Sequence, residues 1–131
     1  MTDEAVLRIL VVDDDEGVQK LVSTLLQRSN MESIQAMSAS EAAQILRQPP
    51  QPDLMLLDIM LPEISGIDFL KQMRSKAVFD KLPVIILSAL ADPKTIRAGL
   101  DAGADRYLTK PYLVNNLVKT IHEVLRARHE E

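Results

Sequence analysis

A chain of 131 residues, 47% hydrophobic and 26% charged, has the size and balance of one globular domain able to bury its own core. It contains no cysteine, which excludes a disulfide framework and thiolate chemistry. A formal net charge of −4 with no basic block argues against nucleic-acid binding by this chain alone, and no apolar run reaches a membrane span or follows a basic leader. One cytoplasmic domain over 1–131 is therefore expected, with its core at about 7–125 and a short mobile tail at 127–131.

The hydrophobic pattern alternates between two periods along the chain. "RILVV" (8–12) is a continuous run rich in Val and Ile, as expected of a strand covered on both faces. Val18, Leu21, Val22, Leu25 and Leu26 follow at helical spacing, with Asp14 or Asp15 placed to cap that helix. "ESIQAM" (32–37) is a weaker strand. Ser38 and Glu41 have capping-box spacing ahead of Ala42, Ala43, Ile45 and Leu46. "PPQP" (49–52) breaks the chain before "DLMLLD" (53–58), a second buried-type strand that ends on an acid. "LPEISG" (61–66) leads into a helix carrying Phe69, Leu70 and Met73, and "LPVIILSA" (82–89) is the third strong strand.

A helix over 93–103 has a thin apolar stripe, Ile96 and Leu100, with Gly103 suited to stop it. "DRYLTKP" (105–111) is a short strand. Val114, Leu117, Val118, Ile121 and Leu125 mark a last helix, whose exposed face is expected to carry Asn116, Lys119, Thr120 and Glu123. This βα unit, repeated five times, predicts an α/β fold: a parallel sheet with right-handed connections and helices on both faces.

In such a sheet, ligands bind outside the carboxyl ends of the strands. Asp13 and Asp14 follow the first strand, Asp58 ends the third, Ser88 the fourth and Lys110 the fifth. Taken singly, each has an ordinary role as a helix cap, a loop hydroxyl or a solvated lysine. Taken together, they bring three carboxylates to one rim against one ammonium. Clustered like charges are costly unless a cation sits among them. Mg²⁺ is the natural partner, because it takes oxygen ligands and is typically held by one or two carboxylates plus phosphate oxygens. The crowded "VVDDDEG" (11–17) then makes sense: two of its acids hold a metal and the other two begin a helix.

"ILVVDDDEGV", "DLMLLDIMLPEISGIDFL", "PVIILSA" and "GADRYLTKPY", in this order and at these separations, resemble the receiver domain of bacterial two-component response regulators, from about Leu7 to Leu125. The resemblance implies a doubly wound (βα)5 flavodoxin-like fold with sheet order 2-1-3-4-5. It implies a switch in which Asp58 takes a phosphoryl group from a phosphohistidine on a sensor histidine kinase or a histidine phosphotransfer protein. Asp13, Asp14, Asp58 and the backbone carbonyl of Met60 would hold Mg²⁺. Ser88 would hydrogen-bond the phosphoryl group, Lys110 would pair with it, and Tyr107 would turn inward when Ser88 moves. The Lys110–Pro111 bond would be cis.

A domain of this kind takes part in its own phosphotransfer and slow autodephosphorylation and is not an enzyme. Its signal would leave through the fourth helix, fifth strand and fifth helix, with a homodimer contact across 93–126 and an effector domain lying C-terminal to, and outside, this chain. Met60 and Leu90 stand at the two variable positions flanking the phosphorylation site, where two apolar side chains would restrict water.

The sequence departs from the common pattern at Ser65, where an acid is frequent, and at Ser88, where threonine is also common. Arg106 stands where many DNA-binding members carry a second acid. Two other readings compete. A haloacid-dehalogenase-type phosphatase would use Asp13 and Asp15 as Asp-x-Asp, but Glu16-Gly17-Val18 stands where its Gly-Thr belongs. A receiver-like interaction module that is never phosphorylated usually lacks an acid or the lysine, and here all five positions are intact.

Overall fold

The computed structural model describes residues 6–110 and 113–129. Five strands, β1 (Leu7–Val12), β2 (Met31–Ala36), β3 (Leu54–Leu57), β4 (Val84–Ser88) and β5 (Arg106–Thr109), alternate with five helices. The helices are α1 (Glu16–Arg28), α2 (Ala39–Leu46), α3 (Gly66–Arg74), α4 (Pro93–Asp101) and α5 (Leu113–His129). All strand pairs are parallel and the sheet order is β2-β1-β3-β4-β5. This is the flavodoxin-like arrangement that the motifs imply.

The continuous apolar runs are explained by burial on both sides of the sheet. Successive strand residues alternate between two layers. Leu10, Val12, Met55, Leu57, Val84 and Ile86 pack against α2 and α3 through Ala42, Leu46, Phe69, Leu70 and Met73. Ile9, Val11, Leu54, Leu56, Ile85 and Leu87 pack against α1 and α5 through Val22, Leu26, Leu117, Ile121 and Val124. A pattern of this kind has no polar face left to alternate with, so β3 is buried throughout.

Side-chain caps set the helix starts. Asp15 Oδ1 accepts from the Gly17 and Val18 amides at 2.7 and 3.2 Å, so Asp15, rather than Asp14, caps α1. Ser38 accepts from Glu41 N, while Glu41 reaches back to Met37 N, one residue before the position a capping box uses. Ser65 and Asp92 cap α3 and α4, and Pro93 takes the first position of α4. The departure at Ser65 is thus a helix entry. Gly103, at φ +116°, ends α4 in a conformation that suits glycine.

Three expectations change. On α1 the buried positions are Gln19, Val22 and Leu26, whereas Leu21 is exposed, because the helix is rotated to bring Gln19 onto the ends of β1 and β2. On α5, Thr120 is buried rather than on the outer face, since it shares the inward phase of Leu117, Ile121 and Val124. The tail expected to be mobile at 127–131 is helical as far as His129. Its anchor is Arg128, which donates to both oxygens of Asp105 at 2.9 and 3.1 Å. Asp105 also takes the Val84 amide and lies 3.7 Å from Arg74, which in turn donates to the Gly103 and Phe79 carbonyls. This brace ties α3, α5 and the start of β5 together at the end of the sheet remote from the acids.

Candidate functional site

The order β2-β1-β3 reverses direction between β1 and β3, and that is where a doubly wound sheet opens a crevice. Asp13 follows β1 and Asp58 follows β3, one on each side of this point. Backbone bonds fix both: Asp13 N donates to Ala36 O at 3.1 Å and Asp58 N to Val12 O at 3.0 Å. Asp13, Asp14 and Asp58 each offer an oxygen to one cluster whose members lie within 4.8 Å of one another. Asp13 and Asp58 are buried, and Asp14 is exposed.

Lys110 reaches into the cluster from the end of β5. Its Nζ lies 3.1 Å from Asp13 Oδ2 and 3.3 Å from Asp58 Oδ2. The remaining oxygens are tied to backbone: Asp13 Oδ1 accepts from Asp15 N, and Asp58 Oδ1 from Ile59 N. Among the described residues, Asp13 Oδ2 is buried with no hydrogen bond of acceptable geometry, and the Lys110 ammonium meets it as an ion pair. Burial, and next the Asp13 charge, push the Asp58 carboxyl above the usual carboxylate range, against Lys110, which pulls it down. For Lys110, burial pulls the ammonium down, but Asp13 and Asp58 outweigh it and the net direction is up. The cluster is therefore short of positive charge. Hard carboxylate oxygens that share a single ammonium are the donor set that suits Mg²⁺.

Gly66 holds the third acid in place. A Cβ on Gly66 would overlap the Asp58 carbonyl oxygen, and Gly66 N donates to Ile59 O at 2.7 Å. Only a residue without a side chain allows α3 to start this close to the acid.

On the other side of the rim, Ser88 is fully buried at the end of β4. Its Oγ accepts from Leu90 N at 3.1 Å, while the Tyr107 hydroxyl donates to Leu90 O at 2.6 Å. The backbone of Leu90 thus bridges Ser88 and Tyr107. Tyr107 lies beneath α4, where Gly99 leaves room for its ring. Burial raises the Tyr107 phenol, with Ser88 working the other way. Met60 is 61% exposed, whereas Leu90 is half-buried against the layer that holds α2 and α3. Pro111, and with it the expected cis bond, lies outside the described residues.

All of the acids, Ser88 and Lys110 thus come from the carboxyl ends of their strands, as sequence order alone suggests. Gly66 and Gln19 were missed. The signal for Gly66 was its place just after Ser65, at a helix start. The signal for Gln19 was a polar residue next to Val18 in an apolar stripe.

Fold and site together define a flavodoxin-like α/β domain with an acid-rich crevice at its switch point. The chain belongs to the response regulator receiver domain family, whose model matches residues 9–122. It is 37% identical over 119 residues to the phosphate regulon transcriptional regulatory protein PhoB of Escherichia coli (strain K12), covering 91% of this chain and 52% of that protein. It is 36% identical over 132 residues to the DNA-binding dual master transcriptional regulator RpaA of Synechocystis, covering 95% of this chain and 54% of that protein. The CheY-like response regulator receiver domain protein of Methanospirillum hungatei JF-1 superposes with a TM-score of 0.85 at 27% identity, covering 96% of this chain and 98% of that one. The chain spans about half the length of the curated relatives it matches. As a receiver domain it is a signalling unit of two-component systems. No described helix is long and apolar enough to cross a membrane.

Proposed function

We propose that Asp58 is the phosphoacceptor of this receiver domain, taking a phosphoryl group from a phosphohistidine on a histidine kinase or phosphotransfer protein. The observation that carries this is the Asp58 carboxylate, 4% exposed, clustered with Asp13 and bridged to it by the Lys110 ammonium at the switch point of the sheet. In the transfer, an Asp58 oxygen attacks phosphorus, the P–N bond to the imidazole breaks with its electron pair going to nitrogen, and an acyl phosphate remains on Asp58. The attacking group and the phosphoryl oxygens are both negative, so Lys110 offsets part of their repulsion. Asp13, Asp14, Asp58 and the Met60 carbonyl would hold Mg²⁺, which supplies the rest of that neutralisation when bound.

Ser88 would follow the phosphoryl group, and its bond to Leu90 N makes Leu90 and Tyr107 the next elements to respond. The output face would be α4, β5 and α5, where Arg106 pairs with Glu123 at 3.2 Å. A homodimer contact over 93–126, an effector domain outside this chain, and a cytoplasmic setting belong to the same proposal, as does one receiver unit with its core at about 7–125. Slow autodephosphorylation, rather than turnover of a separate substrate, completes it.

The phosphatase reading needs Asp15 as its second acid, but Asp15 Oδ1 is engaged by two backbone amides at the start of α1. The test of the proposal is labelling. Incubation with acetyl phosphate and Mg²⁺ should add one phosphoryl group by mass spectrometry, and Asp58→Asn should abolish it. Labelling retained in that variant would overturn the assignment, and no labelling of the wild type would favour an interaction module that is never phosphorylated.

A further inference from the structure

Gln19 is 3% exposed on the inner face of α1. Its Nε2 lies within hydrogen-bond distance of three backbone carbonyls, Val11 O and Asp13 O at 3.0 Å and Ala36 O at 3.2 Å, so its two N–H groups are shared among them. Only donors can face three carbonyl oxygens, so the orientation of the amide is determined. The other end of the amide is left over: Oε1 is buried and has no hydrogen-bond partner among the described residues. An unpaired buried acceptor is unfavourable, and an aliphatic side chain could fill the same place without one.

The three carbonyls belong to the ends of β1 and β2 and to the acidic loop itself. Asp13 is thereby restrained at three points. Its N–H donates to Ala36 O, its carbonyl accepts from Gln19, and its Oδ1 accepts from Asp15 N at 2.9 Å. Ala36 O receives both Asp13 N and Gln19 Nε2, which closes the loop onto β2. The Asp13 carboxylate oxygen that takes no hydrogen bond from the described backbone is Oδ2, which meets Lys110 at 3.1 Å.

We propose that Gln19 is a positioning residue for the cation site: by clamping the Asp13 carbonyl to the ends of β1 and β2, it fixes the direction in which the Asp13 carboxylate presents Oδ2. This rests on Asp13, Asp14 and Asp58 being the Mg²⁺ ligands. Partners that orient metal ligands are typically worth about 10- to 100-fold in affinity. Gln19 acts through the backbone of a ligand rather than on the ligand atom, so the low end of that range applies.

The experiment is a Mg²⁺ titration by NMR on the full chain, for the wild type, Gln19→Met and Gln19→Asn, below the melting temperature of each, with thermal unfolding in parallel. Methionine keeps the length and removes the donors, while asparagine keeps the amide one methylene short. The Mg²⁺ dissociation constant should weaken about tenfold in both variants. Unchanged affinity in a folded variant, with only the melting temperature lowered, would make Gln19 a packing residue and overturn the inference while leaving the metal site in place. A wild type without Mg²⁺-dependent shifts at 13–15 and 58–60 would instead overturn the metal site, and the inference with it. Should neither variant fold, the wild type still decides: the Gln19 side-chain amide resonances should move with Mg²⁺, and fixed resonances would overturn the proposal.

Discussion

A methyl group on Gly66 would overlap the carbonyl oxygen of Asp58 and lie 2.9 Å from its carbonyl carbon. These are backbone atoms of a buried strand end, so they cannot swing aside as a flexible side chain would. Gly66→Ala is therefore expected to destabilise the protein by about 1–3 kcal/mol, the range for overpacking a close contact. Because the displaced residue is the acid itself, labelling by acetyl phosphate should slow even at temperatures where the variant is folded. Denaturant unfolding and a labelling time course measure the two effects. Normal stability with normal labelling would show that α3 can retreat without moving Asp58.

Burial and the Asp13 charge raise the Asp58 pKa, so folding favours its protonated form. Its contribution to stability is full below the ordinary aspartate range and is lost as pH rises through the folded-state value. At pH 7 and without metal, the charge opposes folding. Asp58→Asn should then be more stable than the wild type. The advantage should shrink on acidification. Mg²⁺ should stabilise the wild type more than the variant, because it binds the folded acids. Thermal melts at pH 7 with Mg²⁺ or with EDTA test both signs, and a lower melting temperature for the metal-free variant would contradict them.

Lys110 follows the same sign but titrates far above neutrality, so it stabilises the fold at pH 7 where the Asp58 charge opposes it. Its pKa is raised on balance by Asp13 and Asp58, so its stabilisation is full below the ordinary lysine value and lost only as pH rises through the higher folded value. At neutral pH it is intact. Lys110→Met leaves Asp13 Oδ2 without its ion-pair partner and should lower metal-free stability by about 1–2 kcal/mol, discounted because the lysine side chain is 23% exposed. Mg²⁺ should bind a few-fold more tightly, since no ammonium competes for the same oxygens. Calorimetric titration reads that affinity, and weaker Mg²⁺ binding would mean that Lys110 organises the acids rather than competing for them.

The acids, Ser88 and Lys110 were legible because strand ends can be read from apolar runs, and the parallel topology sends those ends to one rim. Less legible were features that depend on how elements meet. Leu21 and Gln19 are two positions apart on α1, and only the contact with β1 and β2 decides which turns inward. Thr120 fits either face of an isolated α5, yet packing places it inside. The 3-10 turn at Ala77–Phe79 is too short to leave a period. Arg128 looked like part of a fraying tail because its partner Asp105 lies 23 residues earlier in the chain. Pair partners at such separations follow from the fold, not from local pattern.

Met60 and Leu90 differ in how freely they can be changed. Met60 is 61% exposed, so Met60→Asn should leave stability within about 0.5 kcal/mol of wild type. An amide there can orient a water that methionine excludes, and the acyl phosphate on Asp58 should be lost faster. Leu90 packs on the core, so a charged replacement such as Leu90→Glu should also lower the melting temperature. Decay of the label after removal of phosphodonor measures the first effect. Unchanged or slower decay in Met60→Asn would count against a role in water exclusion.

Ser88 and Tyr107 hold the two sides of one peptide segment, the Leu90 N–H and the Leu90 carbonyl. If Ser88 swings to a phosphoryl group on Asp58, the Leu90 amide loses its acceptor, and the carbonyl that Tyr107 binds can shift with it. Gly99 leaves no side chain between the Tyr107 ring and α4, so a movement of the ring would bear directly on that helix. Hydrogen exchange with and without beryllium fluoride, a phosphoryl mimic, should therefore show altered protection at Leu90 and along α4, β5 and α5. Tyr107→Phe removes the hydroxyl but keeps the ring, and should confine the change to the segment around Ser88 and Leu90. Protection changes clustered on α1 and α2 instead would place the output on the opposite side of the domain. An unaltered pattern in Tyr107→Phe would show that the signal reaches α4 without the Leu90 bridge.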